Sequence, residues 1–186
     1  MIIIIKNMVC SRCKMVVNSI FIEIGLHPKK VILGEVEIKE KDISSVRKRL
    51  EERLNYFGFE ILTDSKEMIV EKVKITIIDL VQNQNSNLNV KLSEYLKQEI
   101  HKDYSTLSNI FSEFEKITIE KYFILQKVEK VKELLGYNEF TLSEIALQLN
   151  YSSVAYLSNQ FKKVTGLSPS QFKKTKFIKR KSIETL

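Results

Sequence analysis

The residues best suited to chemistry in this chain are two cysteines three positions apart, Cys10 and Cys13, within the segment Met8–Cys13. The segment follows a β-branched run and precedes an amphipathic helical pattern, so both thiols should lie on a loop at a helix N-terminus. That position lowers the pKa of a thiol, and thiolates bind soft ions such as Cu(I). Three interpretations stay open: a site for a thiophilic metal, a reversible thiol redox pair, and two half-buried thiols without chemistry.

No other group of residues in the sequence suggests catalysis. There is no Gly-rich phosphate loop, and the two histidines, His27 and His101, look like a turn residue and an exposed helix-end residue. Structural zinc takes four ligands, which one chain could not supply here, although a two-fold dimer would bring together four cysteines. A thioredoxin-like oxidoreductase needs a proline facing its CxxC motif, and Pro28 is badly placed for it. We therefore expect no enzymatic activity.

The positive charge of the protein is concentrated at one end. The chain has 186 residues and a net charge of +7, and residues 151–186 carry that whole excess, with eight basic residues and one acid. Such a concentration indicates an anionic polymer as partner. The alternative is a solvated, frayed tail, which applies most to Lys179–Lys181.

Composition also indicates where the protein works. No apolar run approaches the roughly 20 residues of a membrane span, so no membrane partner is expected. Met1–Ile5 is apolar but short and carries no basic leader, which argues against a signal peptide. Two cysteines do not make a disulfide framework, so we expect a cytoplasmic protein.

The first 64 residues alternate between strand and helix patterns in the order β-α-β-α-β. Helical spacing appears over 12–26 and 44–57, and β-branched runs over 2–6 and 59–63. Between them, Lys30–Lys39 changes phase at Gly34-Glu35, which predicts one strand with a β-bulge. A sheet with so few strands would have an under-protected edge, open either to pairing in a homodimer or to covering the other domain.

The remainder of the chain is helical and contains an internal repeat of fifty residues. Leu92-Ser93-Glu94 recurs as Leu142-Ser143-Glu144, and Leu107-Ser108-Asn109-x-Phe111 recurs as Leu157-Ser158-Asn159-x-Phe161. One register without gaps predicts a supersecondary unit used twice. We expect helices near 65–82, 90–100, 105–115, 118–135, 142–149 and 153–165, with a short one starting at Ser168-Pro169.

Each unit has the pattern of a helix-turn-helix, whose second helix lies in the DNA major groove. In the second unit, apolar residues of both helices share one side, which leaves an open face made of Val154, Ala155, Ser158, Asn159 and Lys162. A plain bundle of helical hairpins is the alternative, but it does not explain why the charge lies in and after the second unit.

The second unit resembles the signature of the AraC/XylS transcription regulators. The matching residues run from Leu142-Ser143-Glu144-Ile145-Ala146 through Tyr151-Ser152-Ser153 and Leu157-Ser158-x-x-Phe161-Lys162-Lys163 to Gly166-Leu167-Ser168-Pro169-x-x-Phe172. The resemblance covers residues 65–176 and implies seven helices, two helix-turn-helix units and a long central helix. It also implies double-stranded DNA and RNA polymerase as partners.

By position, the resemblance implies which residues face DNA. The base-facing residues would be Ser105, Ser108 and Asn109 in the first unit and Val154, Ala155 and Asn159 in the second, with Ser158 on the same open face. Lys162 and Lys163 would neutralise phosphates. The family usually has Gly where this chain has Asn150, and Glu113 and Glu115 follow the first recognition segment, so the second unit should bind the DNA backbone more strongly.

The N-terminal region resembles the heavy-metal-associated domain of copper chaperones and metal-transporting ATPases. The resemblance rests on Met8-x-Cys10-x-x-Cys13 and on Tyr56-Phe57-Gly58-Phe59-Glu60, with Asn7 where that family has Gly. It implies a ferredoxin-like sensor domain that holds Cu(I) or another thiophilic ion through Cys10 and Cys13. The expected fold class is therefore α+β, with domains at 1–64 and 65–178 and a basic tail at 179–186. A metal carrier with a helical appendage is the alternative to a regulator.

Overall fold

The computed structural model describes residues 1–86, 88 and 90–174. The strands are β1 (Ile2–Lys6), β2 (Pro28–Ile32), β3 (Glu35–Ile38) and β4 (Glu60–Leu62). The helices are α1 (Ser11–Glu23), α2 (Arg47–Tyr56), α3 (Ser65–Gln82), α4 (Leu92–Ile100), α5 (Tyr104–Glu115), α6 (Ile119–Tyr137), α7 (Leu142–Gln148), α8 (Val154–Thr165) and α9 (Pro169–Lys174). The predicted α+β class is confirmed. The predicted basic tail at 179–186 lies outside the described residues.

The chain forms two compact domains, an N-terminal domain over Met1–Ile75 and a C-terminal domain over residues 76–186, and their boundary falls within α3. In the described residues, no helix is both long enough and apolar enough to cross a membrane.

The N-terminal domain is built on a four-stranded antiparallel sheet in the order β2-β3-β1-β4. Ile3 of β1 lies opposite Val36 of β3, and both belong to the core that α1 and α2 complete with Phe21 and Leu50. Alternation along β1 therefore directs Ile3 and Ile5 into this core. The sheet order and the β-α-β-β-α-β sequence of elements make the N-terminal domain ferredoxin-like.

The prediction of one bulged strand over Lys30–Lys39 is wrong. The segment forms the hairpin β2–β3, in which Ile32 pairs with Glu35 across the two-residue turn Leu33-Gly34. Chain reversal places Val31 opposite Val36, so the change of phase marks a turn and not a bulge. The register of β2 does shift, but between Pro28 and Lys30.

Gly34 makes this turn feasible. Its φ is +71°, and a Cβ there would lie 2.0 Å from Cδ1 of Ile75. Only glycine meets both demands without strain or a shift of the Ile75 side chain. With four strands, the sheet edge at β2 is also better protected than expected, because Pro28 starts that strand and Lys29 and Lys30 are exposed on it.

The fifty-residue repeat is present in the structure of the C-terminal domain. α5 and α8 begin and end fifty residues apart, and so do the left-handed residues that end them, Lys116 and Gly166. The aromatic contacts repeat as well: the rings of Phe111 and Tyr122 lie 5.5 Å apart and those of Phe161 and Phe172 lie 5.3 Å apart, both edge to face. One packing arrangement is thus used twice.

The ends of α5 and α8 differ in strain, which gives a stability prediction. Lys116 has a φ of +58° where Gly166 has +81°, and a side chain in this region costs about 1 kcal/mol. Because nothing lies within 4 Å of a Cβ built on Gly166, φ alone sets the cost there. We expect Gly166→Ala to lower the free energy of unfolding by about 1 kcal/mol. Lys116→Gly should raise the free energy of unfolding by somewhat less, because this variant also loses the hydrogen bond from Lys116 Nζ to the Glu113 carbonyl. Urea denaturation measures both, and a loss of stability in Lys116→Gly would contradict the strain argument.

Candidate nucleic-acid interface and thiol site

The second helix-turn-helix is organised around α6, α7 and α8. Val128, Val131 and Leu135 of α6 form one buried cluster with Ile145 and Ala146 of α7 and with Leu157 and Phe161 of α8. Thr141 and Glu144 form a capping box at the start of α7, and Ser153 accepts a hydrogen bond from the Tyr156 amide at the start of α8. Such caps satisfy amide groups that a helix terminus leaves unpaired.

The turn between α7 and α8 depends on Asn150, which takes the place of a more usual glycine. Asn150 has a φ of +52°, a conformation that Asn tolerates better than most side chains. Its side-chain amide also donates a hydrogen bond to the Ser86 carbonyl at 3.4 Å. The departure from glycine is therefore accommodated by the backbone.

The predicted DNA-facing residues of the second unit are not equally available. Ala155, Asn159, Lys162 and Lys163 are exposed, and Ser158 is half-buried. Val154 is also half-buried, and it packs against the apolar cluster beneath the helix. The open face of α8 is thus centred on Ala155 and Asn159 and does not extend fully to Val154.

In the first unit, Ser105 and Asn109 of α5 are exposed and Ser108 is half-buried. Asp103 is the N-cap of α5, but its side chain makes no capping hydrogen bond and pairs with Lys97 at 3.6 Å. The predicted base-facing residues therefore share one accessible stretch of α5.

Charge differs sharply between the two units. The last turn of α8 carries Lys162 and Lys163, whereas the last turn of α5 has no basic residue, and Ser112 and Glu113 occupy the matched positions. Within residues 1–86, 88 and 90–174, neither Lys162 nor Lys163 is paired with a carboxylate. The second unit thus offers free cations at a helix C-terminus, where the helix dipole also favours them.

One feature that the sequence did not indicate is a buried cation beneath the second turn. The Lys127 ammonium of α6 lies 3.7 Å from the centroid of the Tyr151 ring and 5.5 Å from that of Phe123. Burial lowers the pKa of Lys127 to about 8. Burial and the neighbouring Tyr156 raise the pKa of Tyr151. Helical periodicity in the sequence does not show whether a lysine is exposed to solvent or buried against an aromatic ring of another element.

Lys127 should make stability depend on pH. Since its pKa is about 8 in the folded chain and about 10.5 when unfolded, the unfolded state binds more protons between these values, and stability rises with pH across that range. A pKa lowered to about 8 means that the charged lysine costs roughly 3 kcal/mol at pH 7. Lys127→Met also loses the contact with the Tyr151 ring, which is worth about 0.5 to 2 kcal/mol. We expect Lys127→Met to be more stable than the wild type at pH 7 by about 1 to 3 kcal/mol, with the difference closing by pH 10. Urea titrations at several pH values test this, and a pH-independent difference would contradict it.

The two cysteines lie side by side at the start of α1. Their Sγ atoms are 3.0 Å apart, and Cys10 is the N-cap, whose sulfur accepts from the Cys13 amide at 3.4 Å. Burial acts to raise the pKa of Cys10, but hydrogen bonds from Cys13 and Arg12 outweigh it and hold that pKa below its usual value. Burial raises the pKa of Cys13, and the bond to Cys10 raises it further. Cys10 is thus the more readily ionised thiol.

The loop before Cys10 is fixed by Asn7, which has a φ of +70°. Its backbone amide donates to Glu71 Oε1 at 2.9 Å, and its side-chain amide donates to the Gly58 carbonyl at 2.9 Å. Met8 is fully buried. As at Asn150, an asparagine occupies a left-handed position that glycine would otherwise fill.

Cys10 and Cys13 place two sulfur atoms next to each other, an arrangement that can hold an ion with two-fold coordination by sulfur. In the part of the chain that the structure describes, no group of three Cys, His, Asp or Glu residues is close enough to hold a metal. His27 instead bonds Glu40 through Nδ1 at 2.6 Å, and His101 is the exposed C-cap of α4. The donor atoms that the structure brings together here are the two thiols, which are ligands for soft ions.

The C-terminal region is similar to a known family of domains. Residues 96–175 match the family model described as a helix-turn-helix domain. This match covers α5–α9 and the end of α4. The matched region therefore includes the second repeat, the central helix α6 and the first repeat from Leu96 onward.

A solved structure also resembles the chain. The crystal structure of a DNA-binding transcriptional dual regulator from Escherichia coli K-12 is 19% identical, with a TM-score of 0.47, over 56% of this chain and 88% of that one. No curated protein matches the chain significantly.

Proposed function

We propose that this chain is a sequence-specific DNA-binding transcription regulator of the AraC/XylS type. The observation that carries the proposal is the exposed face of α8, where Asn159 lies one turn from Lys162 and Lys163 within the matched helix-turn-helix domain. Asn can form paired hydrogen bonds with adenine, Ser can donate or accept, and Ala can contact a thymine methyl group. The lysines would bind phosphates and set the register of the helix.

The two units would divide the work unequally. The α8 unit would supply most of the backbone affinity, because the matched positions of α5 include Glu113 in place of a lysine. α5 would add base contacts through Ser105, Ser108 and Asn109. If the regulator acts as an activator, RNA polymerase would be its further partner.

Selection from a pool of randomised duplexes tests the proposal. The full chain should enrich a defined sequence, bind it more tightly than bulk DNA, and lose affinity as salt rises. Two conserved blocks about 10 base pairs apart would fit two recognition helices in successive major grooves. Enrichment of no sequence, in the metal-free or the Cu(I)-treated protein, would count against a regulator.

We further propose that Cys10 and Cys13 bind a thiophilic ion, with Cu(I) the best fit, as the effector of this regulator. Support comes from the adjacent thiols, the lowered pKa of Cys10 and the fixed loop that presents them. The test is metal content and DNA affinity of the wild type and of Cys10→Ser/Cys13→Ser, both purified under reducing conditions. Equal metal uptake by the two proteins, or an unchanged DNA response, would remove the sensor role.

Thiol redox at the same pair is a second candidate, favoured by the 3.0 Å contact and by the opposite pKa shifts of the two thiols. A low-pKa thiol beside a second cysteine is the arrangement of redox-sensitive pairs. A disulfide that forms under mild oxidation and alters DNA affinity, in a protein that takes up no metal, would favour this candidate.

A further inference from the structure

The DNA-facing side of α8 carries a large side chain that the sequence patterns did not single out. Tyr156 lies in the first turn of the helix and is 54% exposed. Positions 156, 159 and 163 fall on one side of an α-helix, so Tyr156 continues the row formed by Asn159 and Lys163. The most prominent side chain of the first turn is therefore an aromatic ring.

This ring rests on a fixed support. The Tyr156 ring centroid lies 6.2 Å from that of Tyr151, at an interplanar angle of 54°. Tyr151 is 9% exposed, donates its hydroxyl to Gln160 Oε1 at 2.9 Å, and covers the Lys127 ammonium with its ring. Tyr151 is held from both sides and therefore gives Tyr156 a fixed ring to pack against.

The position of Tyr156 along α8 decides which part of DNA it would meet. The N-terminal residues of a recognition helix contact base edges. Thymine exposes an apolar 5-methyl group in the major groove, and apolar side chains recognise it. The matched residue of the first unit is Thr106, which is much smaller, so this contact would belong to the second unit.

We propose that Tyr156 is a specificity-determining residue whose ring packs against the 5-methyl group of a thymine beside the base that Asn159 contacts. The inference rests on the proposed DNA-binding function. Tyr151 is the positioning residue for this contact, and Lys127 and Gln160 hold Tyr151 in place.

Replacement of thymine by uracil tests the contact, because it removes only the methyl group. In the duplex selected by the full chain, each thymine is replaced in turn. At one position the wild type should bind the uracil duplex about fourfold more weakly, the value of one buried methyl group. Tyr156→Ala should bind the thymine duplex more weakly than the wild type and show no further loss with uracil, whereas Tyr156→Phe should respond as the wild type does.

The control is Tyr56→Ala, which removes a still more exposed tyrosine, 77% exposed, from the N-terminal domain and should keep the wild-type response. Circular dichroism confirms that each variant is folded. A uracil penalty that persists in Tyr156→Ala would overturn the inference. So would a loss in Tyr156→Phe as large as in Tyr156→Ala, since the hydroxyl would then make the contact. If the wild type selects a sequence but no thymine is sensitive to uracil, only this inference fails, whereas failure to select any sequence rejects the proposed function.

Discussion

Phe161→Ala is expected to lower the free energy of unfolding by about 3 to 5 kcal/mol, the cost of removing a large ring from a packed core. Phe161 is completely buried in the cluster that joins α6, α7 and α8, and its ring meets that of Phe172 edge to face at 5.3 Å. The edge-to-face contact contributes about 1 kcal/mol of this loss. Because whole domains are stable by only about 5 to 15 kcal/mol, the variant should be partly unfolded under mild conditions.

Urea denaturation followed by circular dichroism measures the change. Phe111→Ala is the matched variant in the first unit, because Phe111 is equally buried and its ring contacts Tyr122 at 5.5 Å. Similar losses in the two variants would show that the repeat duplicates a packing arrangement. Tyr156→Ala removes a half-exposed ring from the same helix as Phe161 and should cost less than about 1 kcal/mol. A loss below 1 kcal/mol in Phe161→Ala would contradict the central position of this ring.

Lys162→Gln/Lys163→Gln should weaken DNA binding by about 10- to 100-fold at 0.1 M salt and reduce the salt slope by about 2. Each lysine that neutralises a phosphate releases a counterion, and each contact contributes about 0.9 to the slope of log K against log salt. Both side chains are exposed in the last turn of α8. The effect should be the same on specific and bulk DNA, since phosphate contacts carry no sequence information.

Two further variants separate charge from recognition. Lys39→Gln/Lys41→Gln removes two exposed charges from the N-terminal domain and should leave the salt slope unchanged. Asn159→Ala should change base preference by about 1 to 3 kcal/mol while leaving the slope unchanged. A slope for Lys162→Gln/Lys163→Gln equal to that of the wild type would exclude these lysines from the phosphate contacts.

The sequence by itself determined the parts of the fold that depend on local pattern. Helical spacing located α1–α9 to within a few residues, and the fifty-residue register predicted the duplicated unit. The left-handed turn at Asn150 was also predictable, because few side chains tolerate that conformation. These features follow from periodicity and backbone preference, which neighbouring residues define.

Only the tertiary structure decided the features that depend on residues far apart in the chain. The phase change at Gly34 could mean a bulge or a turn, and the pairing of Val31 with Val36 settled it as a hairpin. Val154 and Tyr156 are both near the start of α8, but packing buries half of Val154 and leaves Tyr156 exposed over Tyr151. Lys127 looks like a solvated lysine in sequence, and the ring that covers it comes from a turn 24 residues later. Strand pairing, burial and ring contacts are set by which elements meet, and a local pattern cannot specify them.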